Sequence, residues 1–305
     1  MTISIKPAHT KQADSRMNRL VRALLHEARV CWSFTWGDLS ATVLPATMFA
    51  IAAWNSTDLP AQSILVVVAK CLVYFWLYIY TFNLSNQLIG IDEDRINKPH
   101  RPLVTGLITP TGARRRLMVA TAAFLIVGTL FGVLVWTCLW IAAWALHNHL
   151  GWARTAWGKN AAMVAGTIAQ LAAAWQIVTP LSDTAWTWIL TIAIPLGALV
   201  SLQDLRDLAG DAAIGRRTAV MVMGEENSRR FFCLAFAVYP VLTYLALYRG
   251  APTAAQYIGG AAAIISLSIA YRVIRLRDRR SDNTTYMMYT YWYCITLVSA
   301  VFAVG

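Results

Sequence analysis

Charge is scarce in this sequence. Only 13% of its 305 residues are Asp, Glu, Lys or Arg, and 58% are hydrophobic. A soluble domain carries about twice that share of charge. Acids are scarcer than bases, 15 against 26, which leaves a net charge of +11. Transmembrane strands would alternate apolar and polar residues over about ten positions, and that pattern is missing. The five cysteines (Cys31, Cys71, Cys138, Cys233, Cys294) are scattered in or beside apolar segments. Their spacing gives neither a disulfide framework nor a metal site. The five histidines (His9, His26, His100, His147, His149) also lack metal-ligand spacing. His147 and His149 read as helix-end residues. The N-terminus has no short apolar stretch followed by a small-residue cleavage site, so no signal peptide is expected. Low-complexity stretches and internal domain boundaries are absent too, so a single transmembrane domain over 1–305 is expected.

Long apolar runs are abundant, among them SILVVVAKCLVYFWLYIYTF and LMVATAAFLIVGTLFGVL. Runs of about 20 apolar residues can cross a bilayer as helices. Nine spans are expected, near 33–54, 62–91, 112–134, 135–150, 160–179, 185–203, 229–248, 253–273 and 284–304. This describes an all-α, polytopic membrane protein. With the N-terminus in the cytoplasm, the inner segments hold 24 of the 26 Lys and Arg. Only Arg249 falls outside, and Lys70 lies within a span. The positive-inside rule therefore accounts for the basic balance and sets N-inside, C-outside. Nucleic acid is not needed to explain it.

The first 30 residues read as a basic amphipathic helix on the membrane surface. Arg16, Arg19, Arg22 and Arg29 are interleaved with Leu20, Leu24 and Leu25, which suits an anionic inner leaflet.

Two acidic stretches end two of the expected spans on the same, inner side. In NQLIGIDEDRINKPHRP, Asn86, Gly90 and Asp94 are four residues apart, and Glu93 shares their helix face while Asp92 points away. In SLQDLRDLAGDAAIGRRTA, Asp204, Asp207 and Asp211 share one face in the same way. Stacked carboxylates at a low-dielectric boundary repel one another and need counter-charge. Mg²⁺ takes oxygen ligands, typically one or two carboxylates plus substrate phosphate. Two or three such ions between the clusters would hold a diphosphate. Basic side chains would grip its outer oxygens, and the candidates are Lys98, Arg101, Arg206, Arg217 and Arg22. An apolar span below would take a hydrocarbon tail.

At these residues the chain resembles the UbiA superfamily of intramembrane prenyltransferases, whose usual pattern is N-x-x-x-D-x-x-x-D followed by D-x-x-x-D. The second motif is intact as Asp207 and Asp211, with Asp204 ahead of it. NKPHRPLVTG and GDAAIGRRTAVMVMG also look like the family. The resemblance implies a helical fold around a central cavity, with Mg²⁺-diphosphate at its cytoplasmic rim. It makes Asn86, Asp94, Asp207 and Asp211 the catalytic set, joined by Glu93 and Asp204 as metal ligands. The first motif departs at Gly90, where an aspartate is usual, so one ligand is missing unless Glu93 replaces it.

The NQ opening and the ED-x-x-NKP-x-RP continuation look like the UbiA-type terpene cyclases, which implies cyclisation of farnesyl or geranylgeranyl diphosphate. The alternative is an aromatic prenyltransferase with the same fold and metals. A transporter would more often show broken spans or midplane charges. Aromatic faces stabilise a cation by roughly 0.5–2 kcal/mol each, and 13 Trp, 12 Tyr and 10 Phe are available. Wall candidates are Trp76, Tyr78, Tyr80, Trp140, Trp144, Trp175 and Tyr291. Lys70 has a structural or pocket role.

Overall fold

The computed structural model describes residues 8–213 and 215–305, and among them the regular structure is entirely helical. The helices are α1 (Ala8–Thr35), α2 (Val43–Asn55), α3 (Ser63–Ile89), α4 (Ile91–Asn97), α5 (Pro110–Leu130), α6 (Leu134–Asn148), α7 (Gly158–Gln176), α8 (Asp183–Leu199), α9 (Asp204–Ala213), α10 (Ala219–Met223), α11 (Glu225–Thr243), α12 (Thr253–Arg275) and α13 (Arg279–Ala303). Each expected span coincides with a helix: α2, α3, α5, α6, α7, α8, α11, α12 and α13. Among the described residues four stretches, Ser63–Ile89, Asp183–Leu208, Glu225–Tyr248 and Thr253–Arg275, are long and apolar enough to cross a bilayer, and α2 is a shorter apolar helix. Leu65, Val119, Ile126, Leu130, Leu234 and Ile264 point outward from this bundle. An apolar girdle of that extent marks an interaction surface, and lipid is the environment that fits it.

The breaks fall where local chemistry puts them. The expected first span does not begin as one helix at residue 33. α1 ends at Thr35, a 3₁₀ turn covers Trp36–Asp38, and α2 starts at Val43. Asp38 organises the break: its carbonyl accepts from the Thr42 hydroxyl at 2.6 Å and its carboxylate from Asn83 Nδ2 at 2.8 Å. The long second span stops at Gly90, so the acidic residues Asp92, Glu93 and Asp94 open a separate helix, α4. Acids in a first helical turn complement the dipole. Thr109, Ser182 and Asp278 cap α5, α8 and α13 with their side chains.

Two prolines inside helices each free a carbonyl four residues earlier. Pro195 frees Thr191 O, which accepts from the Tyr239 hydroxyl at 2.6 Å. Pro240 frees Phe236 O, which accepts from Ser266 Oγ at 2.7 Å. Both kinks are therefore satisfied by hydroxyls from neighbouring helices, which a low-dielectric surrounding requires.

Successive helices pack on one another from α5 to α8 and from α11 to α13; α13 then packs on α2, and α2 on α3. The Tyr239–Thr191 bond joins α11 to α8, so the helices close around a central space. A buried ion pair ties three of them together. Arg229 of α11 bonds both carboxylate oxygens of Asp282 on α13, at 2.9 and 2.8 Å, and Val273 O on α12. Both side chains are buried, and such a pair holds geometry rather than adding net stability.

The first seven residues of the expected surface helix, and the side chain of Arg16, lie outside the described residues. From Arg19 onward α1 leaves Leu20, Leu24 and Leu25 more than half exposed. It meets the bundle through Glu27, which pairs with Arg116, and through Cys31 against Tyr80. Lys70 rests its ammonium 5.6 Å from the Phe131 ring centre, a structural placement.

Candidate active site

The central space is a cavity of about 390 Å³ lined from α3, α4, α6, α7, α8, α9 and α13. α4 and α9 carry the two acidic motifs and touch one another. They come close because Gly210 has no side chain: a Cβ there would collide with the Asn97 amide. Asn86, Glu93, Asp94, Asp204, Asp207 and Asp211 all line the cavity, as do Lys98 and Arg101. The two motifs, more than 100 residues apart in sequence, thus form one mouth.

Each acid meets a base. Arg101 Nη1 bonds both Asp94 oxygens at 2.8 Å and Asn86 Oδ1 at 3.3 Å. Lys159 lies 2.5 Å from Asp204 Oδ1. Arg216 bridges Glu93 at 2.8 Å and Asp211 at 3.3 Å. Arg206 touches Asp207 at 3.4 Å. Asp94, Asp204 and Asp211 are all at least 97% buried, and burial on this scale is costly for a charge without a partner. Burial pushes the Asp211 carboxyl above its ordinary range, reinforced by Asp204 and opposed by Arg216 and Lys159. Burial also pulls the Lys98 ammonium down, reinforced by Arg101 and opposed by Asp94 and Asp207. A cation at Asp211 and an anion at Lys98 would each relieve the group they meet.

The donor set suits a hard divalent cation. Asp204 Oδ2 is buried and bonded to nothing among the described residues, so an oxygen ligand stands free inside the mouth. Among the described residues no three His, Cys, Asp or Glu side chains converge on a single point. Any one ion would therefore take one or two carboxylates and complete its shell from substrate, the usual demand of Mg²⁺. Gly90 lies in the lining with φ −98°, a conformation open to other residues. A Cβ there would point to within 3.9 Å of Glu93 Oε2. Glu93 thus occupies the neighbourhood of the absent aspartate.

Other expectations are corrected. Arg206 lies in an adjoining recess, where it bonds Asn283 and stacks 4.6 Å over the Tyr286 ring. Arg217 is exposed and outside the cavity; its neighbour Arg216 takes the inward place after the turn at Gly215, φ +69°. Arg22 is exposed on α1, away from the mouth. Asp92 sits at the rim, 91% exposed and paired with Arg95, in keeping with its expected direction.

None of Trp76, Tyr80, Trp144, Trp175 and Tyr291 lines the cavity. Trp76 stacks on Tyr80 at 4.7 Å on the α1 side of α3, Trp175 packs on Phe49, Trp144 is buried elsewhere, and Tyr291 faces outward, 51% exposed. Of the expected wall residues Tyr78 and Trp140 do line it, joined by Phe82, Tyr286, Tyr289 and Tyr293. Tyr78 and Trp140 stack with parallel rings 4.3 Å apart, and Phe82 lies 5.2 Å from the same indole. The ring positions are fixed by hydrogen bonds: Trp140 Nε1 donates to Tyr78 O, Tyr78 OH to Gly166 O, and Tyr289 OH to Leu196 O. A usable signal was present in the sequence. Phe82 and Tyr78 precede Asn86 by one and two four-residue steps, so they share its face. Lys159, Asn148 and His147 also line the cavity; the sequence marks the first two with no local motif and His147 only as a helix-end residue.

The geometry is that of a carboxylate-and-base mouth over an aromatic chamber. The sequence matches the UbiA prenyltransferase family over residues 42–295. It is 41% identical to a somaliensene A/B synthase of Streptomyces somaliensis, over 92% of this chain and 95% of that protein. It is 37% identical to the diterpene cyclase eriG of Hericium erinaceus, over 90% and 88% of the two chains. It is also 34% identical to the polyprenyl transferase eriF of the same organism, over 90% and 94%. Among solved structures, a UbiA homolog from Archaeoglobus fulgidus bound to GPP and Mg²⁺ superposes with a TM-score of 0.63 at 12% identity, over 88% of this chain and 99% of that one. Motifs, mouth and fold agree with these matches, and the chain belongs to the UbiA prenyltransferase family.

Proposed function

We propose that this protein is a membrane-embedded terpene cyclase. It ionises a polyprenyl diphosphate, farnesyl or geranylgeranyl, with the help of Mg²⁺, and the allyl cation is captured by the substrate's own double bonds. The observation that carries this reading is the joining of the two acidic motifs over an aromatic-walled cavity. The somaliensene synthase and the diterpene cyclase among its relatives support it.

In this reading Asn86, Glu93, Asp94, Asp204, Asp207 and Asp211 hold two or three Mg²⁺ ions. When bound, the metal supplies Lewis-acid and templating chemistry at the leaving diphosphate. Lys98 faces the phosphate oxygens directly, and Arg101, Lys159 and Arg216 turn to them from their carboxylate partners, where charge develops as the C–O bond breaks. Tyr78, Phe82, Trp140, Tyr289 and Tyr293 face the cation and keep water from it. Arg206 holds Asp207 and anchors α9 to α13. The mouth opens to the cytoplasm with the N-terminus, the C-terminus lies outside, and the whole chain is one transmembrane domain whose basic N-terminal helix rests on the inner leaflet.

Similarity to the polyprenyl transferase keeps a second reading in view: the same ionisation, with an aromatic acceptor trapping the cation. Purified protein with Mg²⁺ and geranyl, farnesyl or geranylgeranyl diphosphate, with no acceptor, separates the two. A cyclic hydrocarbon or alcohol in the hexane extract, lost with EDTA, is expected. Product only when an aromatic acceptor is added would establish the transferase instead.

A further inference from the structure

His147 stands in the cavity lining beside Phe82, the ring centres 5.7 Å apart, and is 5% exposed. Its Nδ1 lies 2.7 Å from Asn148 Oδ1. Which nitrogen carries the proton follows from a chain of hydrogen bonds that begins in the first acidic motif. Arg101 can only donate, so the Asn86 atom facing it is the acceptor, Oδ1. Asn86 Nδ2 must then be the group that faces Asn148, 3.1 Å away, so Asn148 presents Oδ1 there. That same oxygen meets His147, so Nδ1 of His147 is the donor. The other side of Asn148 agrees, with Nδ2 donating to Ser85 Oγ at 3.0 Å and Ser85 in turn meeting His149 Nε2 at 3.0 Å. A cation placed on Asn86 would demand the same Oδ1, so it would leave the chain the same way round. A neutral imidazole protonated on Nδ1 carries its lone pair on Nε2. Nε2 of His147 has no hydrogen-bond partner among the described residues.

We propose that His147 Nε2 is the base that ends the cyclisation, a role that rests on the cyclase reading above. In this step a C–H bond next to the final cationic carbon breaks. Its electron pair becomes the new C=C bond, and the proton goes to Nε2. The imidazolium then gives that proton to an oxygen of the released diphosphate, and the neutral ring is restored. The sum is a prenyl diphosphate converted to a cyclic hydrocarbon and protonated diphosphate, with no oxidant or acceptor. Asn86 thereby acts twice, once toward the leaving group and once, through Asn148, as the residue that fixes which nitrogen of His147 is basic. Asn148 and Ser85 are positioning residues.

The test uses the full-length protein in detergent with Mg²⁺ and geranyl, farnesyl and geranylgeranyl diphosphates in separate reactions. Wild type, His147→Phe and His147→Gln are compared for diphosphate released and for products in the hexane extract. The two variants differ in size and polarity, so a fold defect in one does not silence the other. Diphosphate release is expected to persist in both. The wild-type hydrocarbon should fall on the order of 10²-fold, the least a general base usually contributes. Water-captured alcohols and isomeric alkenes should replace it. Wild-type products in wild-type proportion from the variants would overturn the proposal while leaving the cyclase reading intact. A wild-type enzyme that releases no diphosphate from any of these substrates would remove the cyclase reading and this role together.

Discussion

Asp94→Asn, Asp207→Asn and Asp211→Asn will each lower turnover on the order of 10²–10³-fold, the scale seen when one preorganised electrostatic group is removed from a reacting centre. Asparagine keeps the size and one oxygen but deletes the charge that balances both the neighbouring base and any metal ion. The effect acts on the leaving group, because a base left without its carboxylate binds the diphosphate before reaction as well as during it. Asp207 gives the cleanest case. Its side chain is 18% exposed and its contact with Arg206 is long, 3.4 Å, so the fold depends on it least. Asp94 and Asp211 are nearly closed off from water, beside Arg101 and Arg216. Breaking buried pairs of that kind costs about 3–5 kcal/mol, so melting temperatures must accompany the rates. Full turnover in any of the three variants would take that residue out of the metal site.

Gly166→Ala will spoil the product without stopping ionisation. A Cβ at Gly166 would collide with the six-membered ring of Trp140. That ring is held in place: it stacks on Tyr78 and on Phe82, and its N–H is held by Tyr78 O. The Gly166 carbonyl is itself the acceptor for Tyr78 OH at 2.7 Å. One added methyl group therefore moves the whole aromatic wall. Overpacking of this kind costs about 1–3 kcal/mol, a measurable fall in melting temperature. The acids and bases of the mouth are not touched, so diphosphate release should continue while cyclic product gives way to linear and early-captured species. An unchanged product profile would show that the Tyr78–Trp140 stack does not shape the cation's path.

Helical periodicity and charge placement carried most of what the sequence makes legible. The apolar runs mark each spanning helix, and the three- and four-residue spacing of Asp204, Asp207 and Asp211 marks their common face. Asn86 and Asp94 meet Arg101, and Asp207 meets Arg206, where the inner-side pairing of acids and bases leads one to look. The aromatic wall was only partly legible, Tyr78 and Trp140 alone among the candidates, because Trp and Tyr serve equally at lipid boundaries and in packing. Trp76 and Tyr80, four apart, describe the face of α3 turned to α1, whereas Tyr78 and Phe82 describe the face that carries Asn86. Counting back from Asn86 separates the two faces. Arg216 and Lys159 could not be found this way. One depends on a glycine turn after α9, the other on the packing of α7 against the segment that opens α9. His147 was hidden because its role comes from a hydrogen-bond chain that joins α3, α6 and the loop after α4, and no spacing in the sequence encodes that.

The account stands on an exchange of partners at the mouth: acids leave bases for metal as bases leave acids for phosphate. Calorimetric titration with an unreactive thiolodiphosphate analogue of geranylgeranyl diphosphate, with and without Mg²⁺, measures that exchange directly. With Mg²⁺ the analogue should bind at least about tenfold more tightly than in EDTA, a difference of about 1.4 kcal/mol or more, and Asp207→Asn should erase the gain. Equal affinity in EDTA and in Mg²⁺ would contradict the account, because the basic residues alone would then suffice to hold the diphosphate.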